Sequence, residues 1–568
     1  MKAISFALLL ALVPWLAMAA PGTPSRDMPD GNGPWVVEAH YVFNVSLEAL
    51  LRRAAPWKVD RKARVLTIEV EDRQAYRQLL DDGFSVAIDN ELTAEAYAPV
   101  ARSPEQINGI AGFPCYRTVE ETDATANALV AQAPQIAEII DIGDSWKRTQ
   151  NASLGYDLHV LRLTNRNIPG PKPVHYLQGG LHAREYATSE SVTRYAEFLV
   201  SRYGTDPDVT WLLDYQEVHL LLNANPDGRK IAEVSATRMQ RKNRNENFCP
   251  GTGTSTVGVD LNRNYLFDWA GLGSSNSACS DIYRGPTAGS EVEAQAMITY
   301  LRQIFPDQRN EQPGVDLTTP ISLDAQGVYM DIHSNAGRTW WPWGNVDNVL
   351  APNATQLQTF GRKVAFFNHY VPEQCNEGGA IGGASDDFTF GTLGVATFTI
   401  ELGGTSFFPS CTTYESTIAP DNIQGFYFAS KVARQPYRLP GGPEVLSATA
   451  TPASILASAS VLITAIANDT RYNNVSGTEP TQAITQVNVF LTPPWTAGAT
   501  PILSMSPVDG TFNTSVENVQ VQLPGSLLQP GRQLVFLQAT DSSGQAGPVS
   551  AVFVTRTGDD AIFANGFQ

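Results

Sequence analysis

Apolar positions along this chain follow three successive rhythms. From about residue 35 to 90, short alternating runs interleave with helical periods. "PWVVEAHYVF", "ARVLTIEVE" and "FSVAIDN" read as strands, and "LEALLRRAA" and "RQAYRQLLDDG" as amphipathic helices. This pattern predicts a small α+β unit with helices on one face of a short sheet. The following segment, "AYAPVARSPEQINGIAGFPC", mixes proline, glycine and Arg102 and reads as a linker or processing site. From Tyr116 the runs become longer and more apolar. "HYLQGG", "EVHLLLNANPDG", "GVYMDIHSNAG" and "VATFTIELGG" alternate with helical stretches such as "VEETDATANALVAQAP". Strands this apolar need cover on both faces, which predicts an α/β domain with a mixed, twisted central sheet flanked by helices. After "RLPGGPEV" the rhythm changes again to regular short strands such as "SASVLITAIAND" and "VENVQVQLP", in a stretch without lysine. That predicts an all-β, immunoglobulin-like sandwich. The expected boundaries are 20–112, 113–439 and 440–568.

Length and composition agree with several domains: 568 residues, 43% hydrophobic and 17% charged, describe globular units with ample core. A formal net charge of −18 argues against nucleic acid or an anionic membrane as partner. At the start, Lys2 precedes an apolar run that ends with Ala17 and Ala19 in an A-x-A pattern. Residues 1–19 therefore read as a secretory signal, and the protein is expected outside the cytoplasm, extracellular or periplasmic. No later run has transmembrane length. Export permits disulfides. Of five cysteines, Cys249 with Cys279 and Cys375 with Cys411 are the natural local pairings, leaving Cys115 as the free thiol. No C-x-x-C is present, so a cysteine-based zinc site is not expected.

The chemistry starts in "VHYLQGGLHAREYATSES". A buried strand (Val174 to Gln178) meets a glycine turn, after which His182 and Glu185 are expected to open a helix on a shared face. An imidazole and a carboxylate side by side can supply two ligands of a catalytic zinc. The competing reading is a capped helix start with a solvated Glu185. Among seven histidines, His175 and His219 fall inside strand patterns and read as core residues. His333 ends a strand, where open α/β sheets place site residues. With His182 and Glu185 it would complete a two-histidine, one-carboxylate site that keeps one coordination position open.

Residues 116 to 435 resemble the zinc metallocarboxypeptidases of the carboxypeptidase A/B family. "HARE" resembles its first zinc motif and "DIHSNAGRTWWPWG" its second, with "NPDGR", "QRKNR" and "GVDLNRNY" between them and "ATFTIELGG" after, all in the family's order. The resemblance implies one zinc ion held by His182, Glu185 and His333. It implies Glu401 as the general base toward water, and Arg241 as a fixed charge for the developing oxyanion. Asn262 and Arg263 would clamp the substrate's terminal carboxylate, a fork geometry that separates a chain end from a mid-chain amide. Arg184 would line the approach of the peptide. Counted back from Glu401, Asp386 falls where the carboxypeptidase B branch has its pocket aspartate, which implies selection of Lys or Arg, and Asp387 matches a more widespread structural position.

Two departures from the family pattern stand out. Asn335 occupies the position of a tyrosine after His-Ser, and the mobile substrate-capping tyrosine falls near Gly379, in a stretch without tyrosine. The N-terminal unit is like a pro-domain in position and size, so cleavage between Arg102 and Cys115 would activate the enzyme; a permanent accessory domain is the alternative. The expected partners are peptide or protein C-termini, with the protein a monomer and the sandwich free to bind a cell surface or matrix. Two other functions stay open at this point. One is a peptidase trimming cell-wall peptides, and the other is a non-catalytic binding protein on the same scaffold, against which the joint retention of the metal set and Glu401 counts.

Overall fold

The computed structural model describes residues 23–250, 256–309, 314–375 and 379–558. The expected signal segment, 1–19, lies outside the described residues.

The N-terminal unit is a four-stranded antiparallel sheet, ordered β2-β3-β1-β4, with three helices. Its elements are β1 (Trp35–His40), α1 (Asn44–Leu51), β2 (Lys58–Asp60), β3 (Val65–Val70), α2 (Arg73–Asp81), β4 (Ser85–Ile88) and α3 (Asn90–Tyr97). Strict alternation along β3 buries Leu66, Ile68 and Val70 against Leu47, Tyr76 and Leu79 from α1 and α2. Asp72 and Asp89 cap α2 and α3 by accepting backbone N–H bonds, as short polar residues do at helix starts.

The central domain opens with α4 (Val119–Gln132), where Thr118 and Glu121 form a reciprocal capping box. It continues with β5 (Ala137–Asp144), α5 (Trp146–Gln150), β6 (Asp157–Leu163), β7 (Val174–Gly179), α6 (Tyr186–Arg202), α7 (Pro207–Tyr215), β8 (Glu217–Leu221), α8 (Pro226–Ala232) and α9 (Val292–Ile304). Then come β9 (Val328–Ser334), β10 (Arg338–Trp341), α10 (Ala354–Asn368), β11 (Val371–Gln374), α11 (Ser385–Phe388), β12 (Ala396–Leu402), α12 (Cys411–Thr413) and α13 (Ala419–Val432). The eight strands form one mixed sheet, ordered β11-β10-β12-β9-β7-β8-β6-β5. Every residue of β7 and β9 is buried, as expected for central strands covered on both faces. Strands β7, β9 and β12 run parallel, so their C-terminal ends open on one edge of the sheet.

The C-terminal region is a sandwich of two sheets. One holds β13 (Glu444–Thr451), β15 (Ser460–Asn468), β19 (Val516–Pro524) and β18 (Ser506–Pro507). The other holds β14 (Ser454–Ile455), β21 (Ser550–Arg556), β20 (Gly531–Asp541), β16 (Ile484–Phe490) and β17 (Leu503–Ser504). This division matches the immunoglobulin arrangement, in which strands ABED face strands CFG. Val461, Ile463, Val487, Val519, Val535 and Leu537 fill the space between the sheets.

The cysteine pairing differs from the local expectation. Cys249 does bond Cys279, but Cys411 bonds Cys115, 296 residues away, and Cys375 is the buried free thiol. The fold decides this: the start of the central domain lies against the loop before α12, where the Tyr116 hydroxyl donates to the Pro409 carbonyl at 2.7 Å. Cys375, at the end of β11, faces the interior beside Gly344. Among the described residues no helix is long and apolar enough to cross a membrane.

Candidate metal and peptide-binding site

β7 ends in a turn that only glycine fits. Gly180 has φ +72°, and a Cβ there would lie 2.4 Å from Ser189 Oγ and 2.6 Å from Asn223 Oδ1. His182 and Glu185 follow, but not as the first turn of a helix. Helix α6 begins at Tyr186, with Glu185 as its N-terminal flanking residue in a non-helical conformation. A tight turn, with Glu185 N–H donating to the His182 carbonyl at 3.2 Å, brings the two side chains together. The three-residue spacing thus works through a turn.

His333, at the end of β9, completes the set. His182 Nδ1 lies 2.8 Å from Glu185 Oε1 and 3.1 Å from His333 Nδ1, and His333 Nδ1 lies 3.2 Å from Glu185 Oε2. All three side chains are buried, and they form a group able to hold a metal ion. Ligands about 2.0–2.1 Å from a tetrahedral zinc would sit about 3.3 Å from one another, close to these separations. Two imidazole nitrogens facing each other at this distance also call for a cation or a proton between them. The opposite ring nitrogens are held by carboxylates: His182 Nε2 by Asp260 Oδ1 at 3.2 Å, and His333 Nε2 by Asp331 Oδ2 at 3.0 Å. Such outer carboxylates fix the ring orientation and tautomer of metal-binding histidines. The residues therefore fit a zinc ion.

The remaining expected residues converge on one cavity of about 140 Å³, lined by His182, Arg184, Glu185, Arg241, Asn262, Arg263, His333, Asn335, Asp386 and Glu401. Glu401 stands opposite His333 in the β12–β9 register, between the fully buried Ile400 and Leu402. Burial pushes its carboxyl up to about 7, and the nearby Glu185 charge adds to this while His333 and Arg241 oppose it. Arg241 is fixed by Asp260, with Nη2 donating to Oδ2 at 3.0 Å and Nε at 3.2 Å, and its Nη1 lies 3.2 Å from His182 Nδ1. Burial opposes charge on Asp260, yet Arg241, Arg263 and His182 together hold its carboxyl well below the usual range. Arg263 donates from Nε to the Gly273 carbonyl at 2.7 Å, and Asn262 accepts from Ser385 N–H at 2.9 Å. Asp387 sits behind the cavity, accepting the Gly344 N–H at 3.0 Å.

Asp260 and Asp331 escaped the sequence reading, although each lies two residues before a named site residue. On β9, period two puts Asp331 and His333 on one face, which was the available signal. His175 and His219 are core residues as expected. His175 Nδ1 pairs with Ser430 Oγ at 2.6 Å, and burial pushes its ring down to about 3. His219 bonds Tyr300 and Glu217.

The N-terminal unit closes the cavity. Leu51 and residues 54–59 line it, and the Trp57 ring packs 4.7 Å from Phe407, over which the Arg184 guanidinium sits at 4.4 Å. Arg184 Nη1 pairs with Glu69 of β3 at 3.3 Å. A Cβ on Gly379 would come 2.4 Å from Leu51 Cδ1, so the docked unit takes the space a side chain there would need.

Buried imidazole and carboxylate ligands at the ends of parallel strands, beside a guanidinium-lined cavity, define a mononuclear metallohydrolase-type centre. The family model for zinc carboxypeptidases matches residues 122–425, more than half of the chain, and the chain belongs to that family. Carboxypeptidase A2 of Mus musculus is 36% identical over 190 residues, covering 34% of this chain and 42% of that protein. Carboxypeptidase B of Astacus astacus is 30% identical over 300 residues, covering 51% of this chain and 87% of that one. The match thus spans under half the length of the mouse protein. Among solved structures, carboxypeptidase A from Helicoverpa armigera superposes with a TM-score of 0.55 at 22% identity, over 71% of this chain and 98% of that one. Thrombin-activatable fibrinolysis inhibitor does so with a TM-score of 0.53 at 20% identity, over the same shares. At these identities the two structures share the fold.

Proposed function

We propose that this protein is a secreted zinc carboxypeptidase that hydrolyses the C-terminal peptide bond of peptides or proteins, preferring C-terminal Lys or Arg, and that residues 20–112 act as its pro-domain. The observation carrying this reading is the meeting of the metal-binding triad, Glu401, Arg241 and the Asn262–Arg263 pair in one cavity. His182, Glu185 and His333 would hold the zinc, which when bound polarises a carbonyl and acidifies water. Glu401 accepts a proton from the attacking water and returns it to the leaving amine, work that suits a carboxylate with a raised pKa. Arg241, braced by Asp260, donates to the oxygen on which negative charge develops. Arg263 and Asn262 bind the terminal carboxylate, so only a chain end places its last peptide bond at the reacting centre. Asp386, which lines the cavity, supports the basic preference.

The zymogen reading is supported by the N-terminal residues in the cavity and by the exposed chain around Arg102. No cysteine precedes Cys115, so a cut between the two would leave the unit held by non-covalent contacts alone, while Cys115–Cys411 keeps the new N-terminus in place. Two disulfides agree with an exported protein.

The test is release of terminal residues by the processed protein from peptides ending in Arg, Lys, Leu or Asp, with and without a zinc chelator. Chelator-sensitive release is expected, fastest for Arg and Lys, and its absence for every peptide would end the carboxypeptidase reading. Glu401→Gln is expected to lower turnover by about 10²–10⁴-fold while zinc content stays near one per chain. Loss of the metal in that variant would reassign Glu401.

A further inference from the structure

The turn after β9 is pinned on two sides by carboxylates of the site. The Ser334 N–H donates to Glu185 Oε2 at 3.1 Å, and the Ala336 N–H bonds Glu401. Asn335 lies between these two anchors and lines the cavity together with Arg184, Ser334 and Glu401. It is also one of the two places where this chain departs from the family pattern, a carboxamide in the position of a tyrosine.

This carboxamide is unsatisfied. Asn335 is 3% exposed, and its Oδ1 has no hydrogen-bond partner among the described residues, those of the docked N-terminal unit included. Buried polar groups are almost always paired, and one left alone costs stability. Its neighbours in the cavity are committed within the fold. Arg241 is engaged by Asp260, Arg263 by the Gly273 carbonyl, Asp386 by the Thr399 hydroxyl, and the other carboxamide, Asn262, accepts from the Ser385 N–H. A buried acceptor without a donor is suited to a donor that arrives with the substrate. A peptide with its terminal carboxylate on Arg263 brings its last peptide bond to the metal site. The amide of that bond is consumed in the reaction. The nearest N–H that survives belongs to the residue supplying the reacting carbonyl, its nitrogen about 2.5 Å from the carbonyl carbon.

We propose that Asn335 is a substrate-binding residue whose side-chain oxygen accepts the main-chain N–H of the substrate's penultimate residue, and so fixes the reacting carbonyl beside the metal site and Glu401. This deepens the carboxypeptidase reading and rests on it, independently of which terminal side chain is preferred. The experiment uses the protein cut in the linker and loaded with zinc. Its substrates are a blocked tripeptide, ending in the residue the wild type releases fastest, and a depsipeptide in which an ester oxygen replaces that one N–H. The wild type is expected to lose about tenfold in kcat/KM on the ester, since the buried oxygen is left unpaired. Asn335→Ala, with zinc content still near one per chain, is expected to lose about as much on the tripeptide and to treat the two substrates alike, the non-additivity of a shared contact. The wild-type comparison needs no variant and stands if Asn335→Ala misfolds. Equal wild-type rates on the two substrates would leave the carboxamide to water and overturn the proposal, with the carboxypeptidase reading intact. An ester penalty that persists in full in Asn335→Ala would assign the N–H to another acceptor, such as the unpartnered Ser334 Oγ, and overturn it too. No release from either substrate by the wild type would remove the carboxypeptidase reading itself, and the proposal with it.

Discussion

The central domain carries a neighbour at each end, and the two are attached in contrasting places. The C-terminal sandwich sits on helices α7, α10 and α13. Arg362 of α10 pairs with Glu479 at 2.7 Å, Lys431 of α13 donates to the Ser550 hydroxyl at 3.0 Å, the Ala551 N–H donates to Asp208 of α7 at 2.6 Å, and Trp495 packs against Trp211 and Tyr215. Phe490, Phe536, Val549 and Ala551 join the same apolar cluster as the central sheet. Among the described residues, none from the sandwich lines the cavity. The N-terminal unit also contributes to that cluster, through Val36, Trp57 and Ala96, but it lines the cavity as well, through Leu51 and residues 54–59. Arg238 donates to the carbonyls of Glu95, Ala96 and Ala98 and so caps the end of α3, and Ser406 donates to Glu95. Both neighbours are packed well enough to be ordered. Placement separates them: one adjoins the scaffold, and the other lines the cavity.

The sharpest way to break this contrast is to cut the chain near Arg102. Activity on a peptide ending in Arg is expected to rise on the order of 100-fold, because the cut removes the high effective concentration at which a tethered blocker is presented. A processed protein no faster than the intact one would make the N-terminal unit an accessory domain.

Next in size is the sandwich contact. Arg362→Ala leaves Glu479 as a buried, unpaired charge and is expected to cost about 3 kcal/mol in denaturant unfolding, the range for breaking one side of a buried ion pair. A loss near zero would mean the sandwich is only loosely held.

The smallest expected effect concerns pH. Glu69 docks beside Arg184, with Tyr97 donating to it and Asp281 and Glu71 nearby. Burial raises its carboxyl to about 7 against the partly offsetting Arg184 charge. A carboxyl raised in the docked state binds a proton there that it lacks when free. Docking strength from this group is therefore fully present below its free value near 4.5 and is lost as pH rises through about 7. After the linker is cut, the N-terminal piece should leave more slowly at pH 5 than at pH 8 in size-exclusion runs. Glu69→Gln should flatten that difference, and a release rate that ignores pH in the wild type would remove Glu69 from the docking balance.

Much of this organisation could be read from local pattern. The alternation of β3, the apolar density of β7 and β9 and the short strands of the sandwich each follow from neighbouring residues, because burial of one face imposes a period of two. The His182–Glu185 spacing, the strand-end position of His333 and the ordered motifs around Arg241, Asn262 and Glu401 were likewise visible. The turn that replaces the expected helix at His182 was not, since a three-residue spacing serves either geometry. Asp260 and Asp331 hid beside better-known residues, although period two pointed at the second.

What the sequence determined by itself is the set of elements and the chemical inventory: three successive strand-and-helix patterns, a His–Glu–His group able to hold a metal, and the glutamate, arginine and asparagine side chains that line the same cavity. Only the tertiary structure decided which distant groups meet. It joined Cys115 to Cys411 over 296 residues and left Cys375 inside the pocket. It set Glu69 on Arg184 and Leu51 at Gly379, and it lined Glu373 up with Thr399 across two strand spacings. Such pairings arise from how sheets register and units dock, and a local pattern carries no record of them because their free energy exists only once the chain has closed on itself.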